Sequence, residues 1–264
     1  MTLADAVRSA RDGAVGRLDR LSLYWLDSRF VWRAHRALVV RGTVRQALRD
    51  EVAATSSDST AGKLVETLSA AAGRADDYLL TELPSFVIQR LASIHEEFLA
   101  GIVRAWLLAK PAHLIQDEST EERRVRNKGP EERTVPFRRV LESSREELVV
   151  DAVNNAVEDL TRASVQDQYD RLRKFTKTAR DLNHAEDEKL IVELAETRNA
   201  LIHAQGVAGA IYIDKVAAEL RRVSAAGERL PLPETYVAEA FELIRRAVAR
   251  VADIVVTKAG AARG

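Results

Sequence analysis

The sequence predicts an all-α protein. Glycine and proline are scarce, at 12 and 6 of 264 residues, which leaves few of the turns that a β architecture needs. Alanine, leucine, arginine and glutamate, the better helix formers, are plentiful. Apolar residues return at spacings of three and four, and no segment alternates apolar with polar long enough to make a convincing strand.

Taken in order, residues 1–53 read as one long helix or two shorter ones, broken at Gly42. Leu18, Leu21, Trp25, Val31, Trp32, His35, Leu38 and Val39 carry the periodicity. The stretch AATSSDSTAG (53–62) reads as a small-polar linker in which Ser59 or Thr60 caps the next helix. A short helix is expected over 63–73. Pro84 fits a first helical turn, and Val87, Leu91, Ile94, Phe98, Ile102, Ala105 and Leu108 mark an amphipathic helix that Pro111 ends.

Residues 117–136 are charged, contain Gly129-Pro130 and lack apolar periodicity, as an exposed loop would. From Phe137 to about Leu182 the pattern is helical with one or two breaks. Asn183 to Ala204 is a further helix, with Leu190, Ile191, Leu194, Ala195, Leu201 and Ile202 as its apolar face and Gly206 as its stop. Asp214 is expected to cap a helix reaching about Ala225. Residues 227–233 connect to a last amphipathic helix, from Glu234 to about Lys258, and the final residues fray.

Composition narrows the function. The formal net charge is zero, so no global field draws the chain to a polyanion, and any such partner needs a local patch. There is no cysteine, which excludes disulfides, thiolate metal sites and cysteine nucleophiles. The first residues hold early acids and no continuous apolar stretch, unlike a secretory signal. No run approaches the ~18 apolar residues of a membrane span. A cytoplasmic location is expected.

One segment stands apart. In ETRNALIHAQGVAG (196–209) an arginine, an asparagine and a histidine close a helix just before a glycine stop. Polar groups are costly to bury without partners, so such a helix end is either paired internally or builds a site. Arg198-Asn199, then three residues, then His203 resembles the signature of the HEPN superfamily. The flanks match as well. LIVELAETRN precedes the motif, AQGVAGAIY and GERLPLPETYV follow it, and SFVIQRLASIHEEFLAGIVRAWLLAKPAHL resembles the opening helix of such domains. The layout is most similar to RiboL-PSP-HEPN and related stand-alone prokaryotic members.

The resemblance covers roughly Tyr78 to Lys258. It divides the chain into an N-terminal helical extension (1–77), a HEPN-like helical domain (78–258) and a frayed tail (259–264). It implies a helical bundle that dimerises, with two motif helices facing each other across a composite cleft. It also implies a metal-independent endoribonuclease, in the family often a toxin or phage-defence effector. In that role His203 transfers a proton, Arg198 stabilises phosphate charge and Asn199 orients. No metal or cofactor is needed, since RNA supplies its own 2′-hydroxyl nucleophile. The alternative is a non-catalytic helical binding or regulatory module in a defence or toxin–antitoxin complex, held to a partner protein.

Arg198 and His203 lie about 140° apart on an ideal helix, whereas Asn199 and His203 share a face. Convergence of all three needs a curled arginine, a distorted helix end or a group from a second subunit. A purely structural role stays open. In it Arg198 pairs with Glu196, Glu193 or another carboxylate, and His203 is a satisfied core histidine.

Other features are weaker. Arg171, Arg173, Lys174, Lys177 and Arg180 form a basic stretch around Phe175, suited to tracking an RNA backbone, although Phe175 itself fits a core. Residues 17–49 are arginine-rich, with Tyr24, Trp25, Phe30 and Trp32 interleaved. They suit nucleic acid, an acidic partner or a dimer arm. His95-Glu96-Glu97 lacks the second histidine of a zincin, though either glutamate is a weak candidate partner for Arg198. His184 and Glu188 lack a third ligand, so neither group predicts a metal. His35 and His113 have no readable role. Gln205 stands where some HEPN toxins carry a modifiable tyrosine.

Overall fold

The structure is a computed structural model that describes residues 1–53, 60–115, 144–178, 182 and 185–261. The described residues are predominantly helical. In order they form α1 (Leu3–Ala53), α2 (Thr60–Asp77), a π-helical turn (Tyr78–Glu82), α3 (Leu83–Ala109) and the short α4 (Ala112–Ile115). Then come α5 (Arg145–Arg162), α6 (Val165–Thr176), α7 (Ala185–His203), α8 (Ala210–Lys215), a 3₁₀ turn (Ala218–Leu220) and α9 (Glu234–Ala261). No helix among them is long and apolar enough to cross a membrane. The expected loop over 117–136 and the capping residue Ser59 lie outside the described residues.

Of the two readings of residues 1–53, one long helix is observed, and α1 runs through Gly42. Other expectations are corrected. The short helix expected over 63–73 extends to Asp77 and passes through the π-helical turn into α3. Pro84 accounts for the wide turn. It has no N–H, and its ring would clash with a carbonyl one α-turn back. The Leu83 N–H reaches back to the Tyr78 carbonyl, a five-residue step, and the Ser85 hydroxyl donates to the Thr81 carbonyl at 2.5 Å. Asp214 lies inside α8 instead of capping it, and that helix stops at Lys215.

The chain separates into two compact units. One comprises 1–15, 94–192 and 245–264; the other comprises 16–93 and 193–244. In the first, Ile94, Phe98, Ile102 and Trp106 of α3 are buried, as are Leu160 of α5, Leu172 and Phe175 of α6, and Val248, Val251 and Val255 of α9. Two caps fix the starts of its helices. Ser144 and Glu147 form a reciprocal capping box on α5, and the Ser164 hydroxyl accepts from the Asp167 N–H on α6. Asp187 takes Arg246 at 3.1 Å and Arg250 at 3.2 Å, which ties α7 to α9.

His95 and His113 find structural roles in this unit. His113 Nδ1 lies 3.0 Å from Trp106 Nε1 and 2.6 Å from the Phe175 carbonyl, so it meets one or the other according to tautomer. His95 is buried, with Nε2 2.9 Å from the Tyr169 hydroxyl, and burial pushes its pKa down to about 4. Folded His95 is therefore neutral where an unfolded histidine, at 6.5, already takes a proton. The unfolded state binds more protons, so stability falls as pH drops from 6.5 towards 4. Thermal melts of His95→Gln are expected to lose this component, on the order of 3 kcal/mol across that window.

In the second unit, Leu18, Leu21, Trp25 and Val39 of α1 are buried, with Leu83, Val87 and Leu91 of α3 and Val237, Phe241 and Ile244 of α9. Arg29 and Arg33 of α1 both pair with Glu234 at the start of α9, and Arg36 grips Asp76 of α2 through two contacts. Tyr78, in the π-helical turn, stacks on Trp32 and meets the Tyr24 hydroxyl at 3.2 Å. Ala200, Ala208, Tyr212, Val216 and Leu230 form a further small core under the loop that follows α7.

Candidate active site

The Arg198–Asn199–His203 segment closes α7, and the chain after it is stapled tightly. Gln205 and Gly206 both take positive φ, 52° and 81°. The Gly206 N–H returns to the Ala200 carbonyl at 2.9 Å and so satisfies a carbonyl at the helix end. A Cβ at Gly206 would sit 3.3 Å from Leu201 Cδ2 on a left-handed backbone, which favours glycine there. Residues 206–208 then run antiparallel to 227–230. The Ala208 N–H donates to the Glu228 carbonyl (2.9 Å), and the Gly227 N–H donates to that of Ala208 (2.8 Å). The helix end is thus held on a short clamp.

The face that α7 buries differs from expectation. Ile191 and Leu194 are buried, but Leu201 is only half-buried and Ile202 is 45% exposed. In their place Glu193, Glu196, Thr197 and Ala200 turn inward. Glu193 is only 4% exposed and collects three hydroxyl donors. Its Oε1 accepts from Thr197 (2.8 Å) and Tyr212 (3.2 Å), and its Oε2 accepts from Tyr236 (2.9 Å). Arg222 lies 3.5 Å above the Tyr236 ring, and its backbone N–H donates to the Tyr212 hydroxyl at 3.2 Å. Burial pushes the Glu193 pKa up, while Thr197, Tyr236, Arg222 and Tyr212 oppose the shift. Burial also pushes the Tyr212 phenol up to about 12 and that of Tyr236 well above its usual range.

A second, shallower chain of polar contacts carries the motif itself. Lys215 of α8 donates to Glu196 Oε1 at 2.9 Å. Glu196 Oε2 accepts from Asn199 Nδ2 at 3.3 Å, and Asn199 Oδ1 accepts from the Arg198 guanidinium at 3.1 Å. Both ends of the Asn199 amide are therefore directed at Glu196 and Arg198. Arg198 and Asn199 are half-buried, and His203 is exposed at the helix end. Of the expected triad, Arg198 and Asn199 are joined directly. His203 stands one turn beyond Asn199, open to solvent.

Sequence reasoning missed the Glu193 cluster. Its signal was the i, i+4, i+7 run Glu193–Thr197–Ala200, a stripe with the right period but the wrong polarity for a core. The basic stretch lies on α6 and just after it. Arg173 is engaged internally, with Asp170 (2.8 Å), Glu188 and the Leu182 carbonyl (3.1 Å). Phe175 is buried, which agrees with its core role. Arg171 is half-buried, Lys174 and Lys177 are exposed, and Lys177 is the left-handed cap of α6. Arg180 and His184 lie outside the described residues, among which no group of His, Cys, Asp and Glu is arranged to hold a metal ion.

No protein-family model matches the chain, and neither does any curated protein or solved structure.

Proposed function

We propose that this chain is a metal-independent, HEPN-type endoribonuclease, acting as a homodimer in which two α7 ends share one cleft. The observation that carries this reading is the exposure of His203 one turn beyond a half-buried Arg198–Asn199 pair. A histidine absorbed into the core would have favoured a structural motif. An exposed histidine is available to a substrate.

In the reaction His203 takes the proton of an RNA 2′-hydroxyl. That oxygen attacks the adjacent phosphorus, the bond from phosphorus to the 5′-oxygen breaks, and the proton taken up by His203 passes to the leaving oxygen. The products are a 2′,3′-cyclic phosphate and a 5′-hydroxyl. Arg198 offsets charge building on the phosphate oxygens. Asn199, anchored by Glu196, which Lys215 in turn holds, keeps Arg198 in place. Arg198 and His203 of one helix diverge by about 140°, so each catalytic set draws one of them from the second copy. Control of such an enzyme by an antitoxin or another defence-complex partner belongs to the same proposal.

The test is cleavage of mixed RNA in EDTA, beside the same RNA carrying 2′-O-methyl groups. Cleavage confined to the unmodified RNA is expected. Both substrates remaining intact, with the protein folded, would move the assignment to a non-catalytic binding module.

A further inference from the structure

Helix α1 is apolar on two opposite sides, and only one of them is covered. Leu18, Leu21, Trp25 and Val39 point into the core of their unit. On the other side Leu23, Leu26 and Phe30 are 60%, 54% and 75% exposed, followed by exposed Ala34 and Ala37. These positions step by three, four, four and three residues, so they fall within about 80° of one another and form a single stripe. A surface helix ordinarily turns charge outward there. Exposed Asp27 borders the stripe about 20° beyond Ala34, and Arg33, about 20° beyond Leu26 on the other edge, pairs with Glu234.

The order of residues along the stripe identifies what covers it. Four residues outward from Leu23 is Asp19, and four outward from Ala37 is Arg41, both exposed. The seven positions are therefore symmetric about Phe30. When a second copy of α1 lies antiparallel, with its Phe30 level with the first, Leu23 comes level with Ala37, Leu26 with Ala34 and Asp19 with Arg41. Large side chains meet small ones, and an acid meets a base at each end. A parallel pair would set Asp19 beside Asp19 and Arg41 beside Arg41. In a two-fold contact residue i meets residue j and j meets i, and the stripe satisfies this when the two helices run antiparallel.

Val31 and Leu38, also exposed, lie beyond Asp27, and the apolar side chains on this side of α1 together expose on the order of 600 Å². About 800 Å² per partner makes a standard interface. We infer that two copies of this chain associate through α1 in an antiparallel, two-fold contact centred on Phe30, separate from the cleft proposed above.

The chain has no cysteine, so single thiols can be placed at will. In the full chain, Phe30→Cys is expected to link to itself through a short bismaleimide. Leu23→Cys and Ala37→Cys are expected to link only when mixed, because like sites on the two copies lie about 21 Å apart along the helix. Phe30→Asp should halve the mass of the assembly in sedimentation and raise its dissociation constant about thirtyfold or more. A wild-type mass that Phe30→Asp leaves unchanged would overturn the inference. So would Leu23→Cys linking to itself, or no link in any combination; this last result would leave the face to another partner. None of these readouts depends on RNA cleavage, so failure here and failure of the ribonuclease reading are told apart.

Discussion

His203→Ala is expected to lower RNA cleavage by about 10²–10⁴-fold, the usual contribution of a positioned proton-transfer group. The melting temperature should barely move. His203 is exposed at the end of α7, and the helix end is secured by other groups. These are the Gly206 return to the Ala200 carbonyl and the pairing of 206–208 with 227–230. Surface substitutions of this kind ordinarily change stability by less than ~0.5 kcal/mol. Loss of activity without loss of fold separates a chemical role from a structural one. An unchanged cleavage rate would remove His203 from the mechanism, and a large fall in melting temperature would show that it supports the fold.

A large effect on stability is expected at Glu193. Glu193→Leu leaves the Tyr212, Tyr236 and Thr197 hydroxyls without their common acceptor in a buried site. Unsatisfied buried groups cost about 1–3 kcal/mol each, and partial rearrangement brings the expected total to about 3 kcal/mol. In a calorimetric melt that is a fall of about 6–12 °C.

The charge adds a pH dependence of definite sign. The folded pKa of Glu193 is raised above 4.5, so its proton is held more tightly in the folded state than in the unfolded one. The associated stability is complete below the unfolded value and is lost as pH climbs through the raised folded value. Glu193→Gln, which carries no titrating group, should not show this loss. A difference between wild type and Glu193→Gln that stays flat with pH would contradict the burial described for this carboxylate.

The two pH effects run in opposite directions. His95 weakens the fold as pH falls below 6.5, and Glu193 weakens it as pH rises above the usual carboxylate range. Each is separated from the other by its own variant.

The all-α class and most helix positions were legible in the sequence because periodicity reports burial directly. The last helix begins at Glu234, as its apolar spacing indicates, and Gly206 stands just past α7, where the backbone takes a positive φ that favours glycine. Joins were harder to place. The π-helical turn at Tyr78–Glu82 depends on how Pro84 is accommodated, which a list of apolar positions does not encode. Gly42 looked like a break, but one glycine costs a helix only about 1 kcal/mol.

The candidate site was half legible. The motif residues announced themselves as polar groups at a helix end. The neighbouring Glu193 cluster did not, because Glu193 occupies a core position through hydroxyls that arrive from α8 and α9. Its partners Tyr212 and Tyr236 are distant in sequence and carry no mark of the contact. The open stripe on α1 hid for a related reason. Apolar residues on both sides of a helix blur its periodicity, and only burial shows which side is covered.

Metal-free ribonuclease chemistry at His203 is tested by analysing the ends left on mixed RNA after incubation with the chain in EDTA, beside His203→Ala purified in parallel. The wild type is expected to leave 2′,3′-cyclic phosphate and 5′-hydroxyl ends, and the variant to leave the RNA intact. Intact RNA from both folded proteins, or equal cleavage by both, would contradict that chemistry.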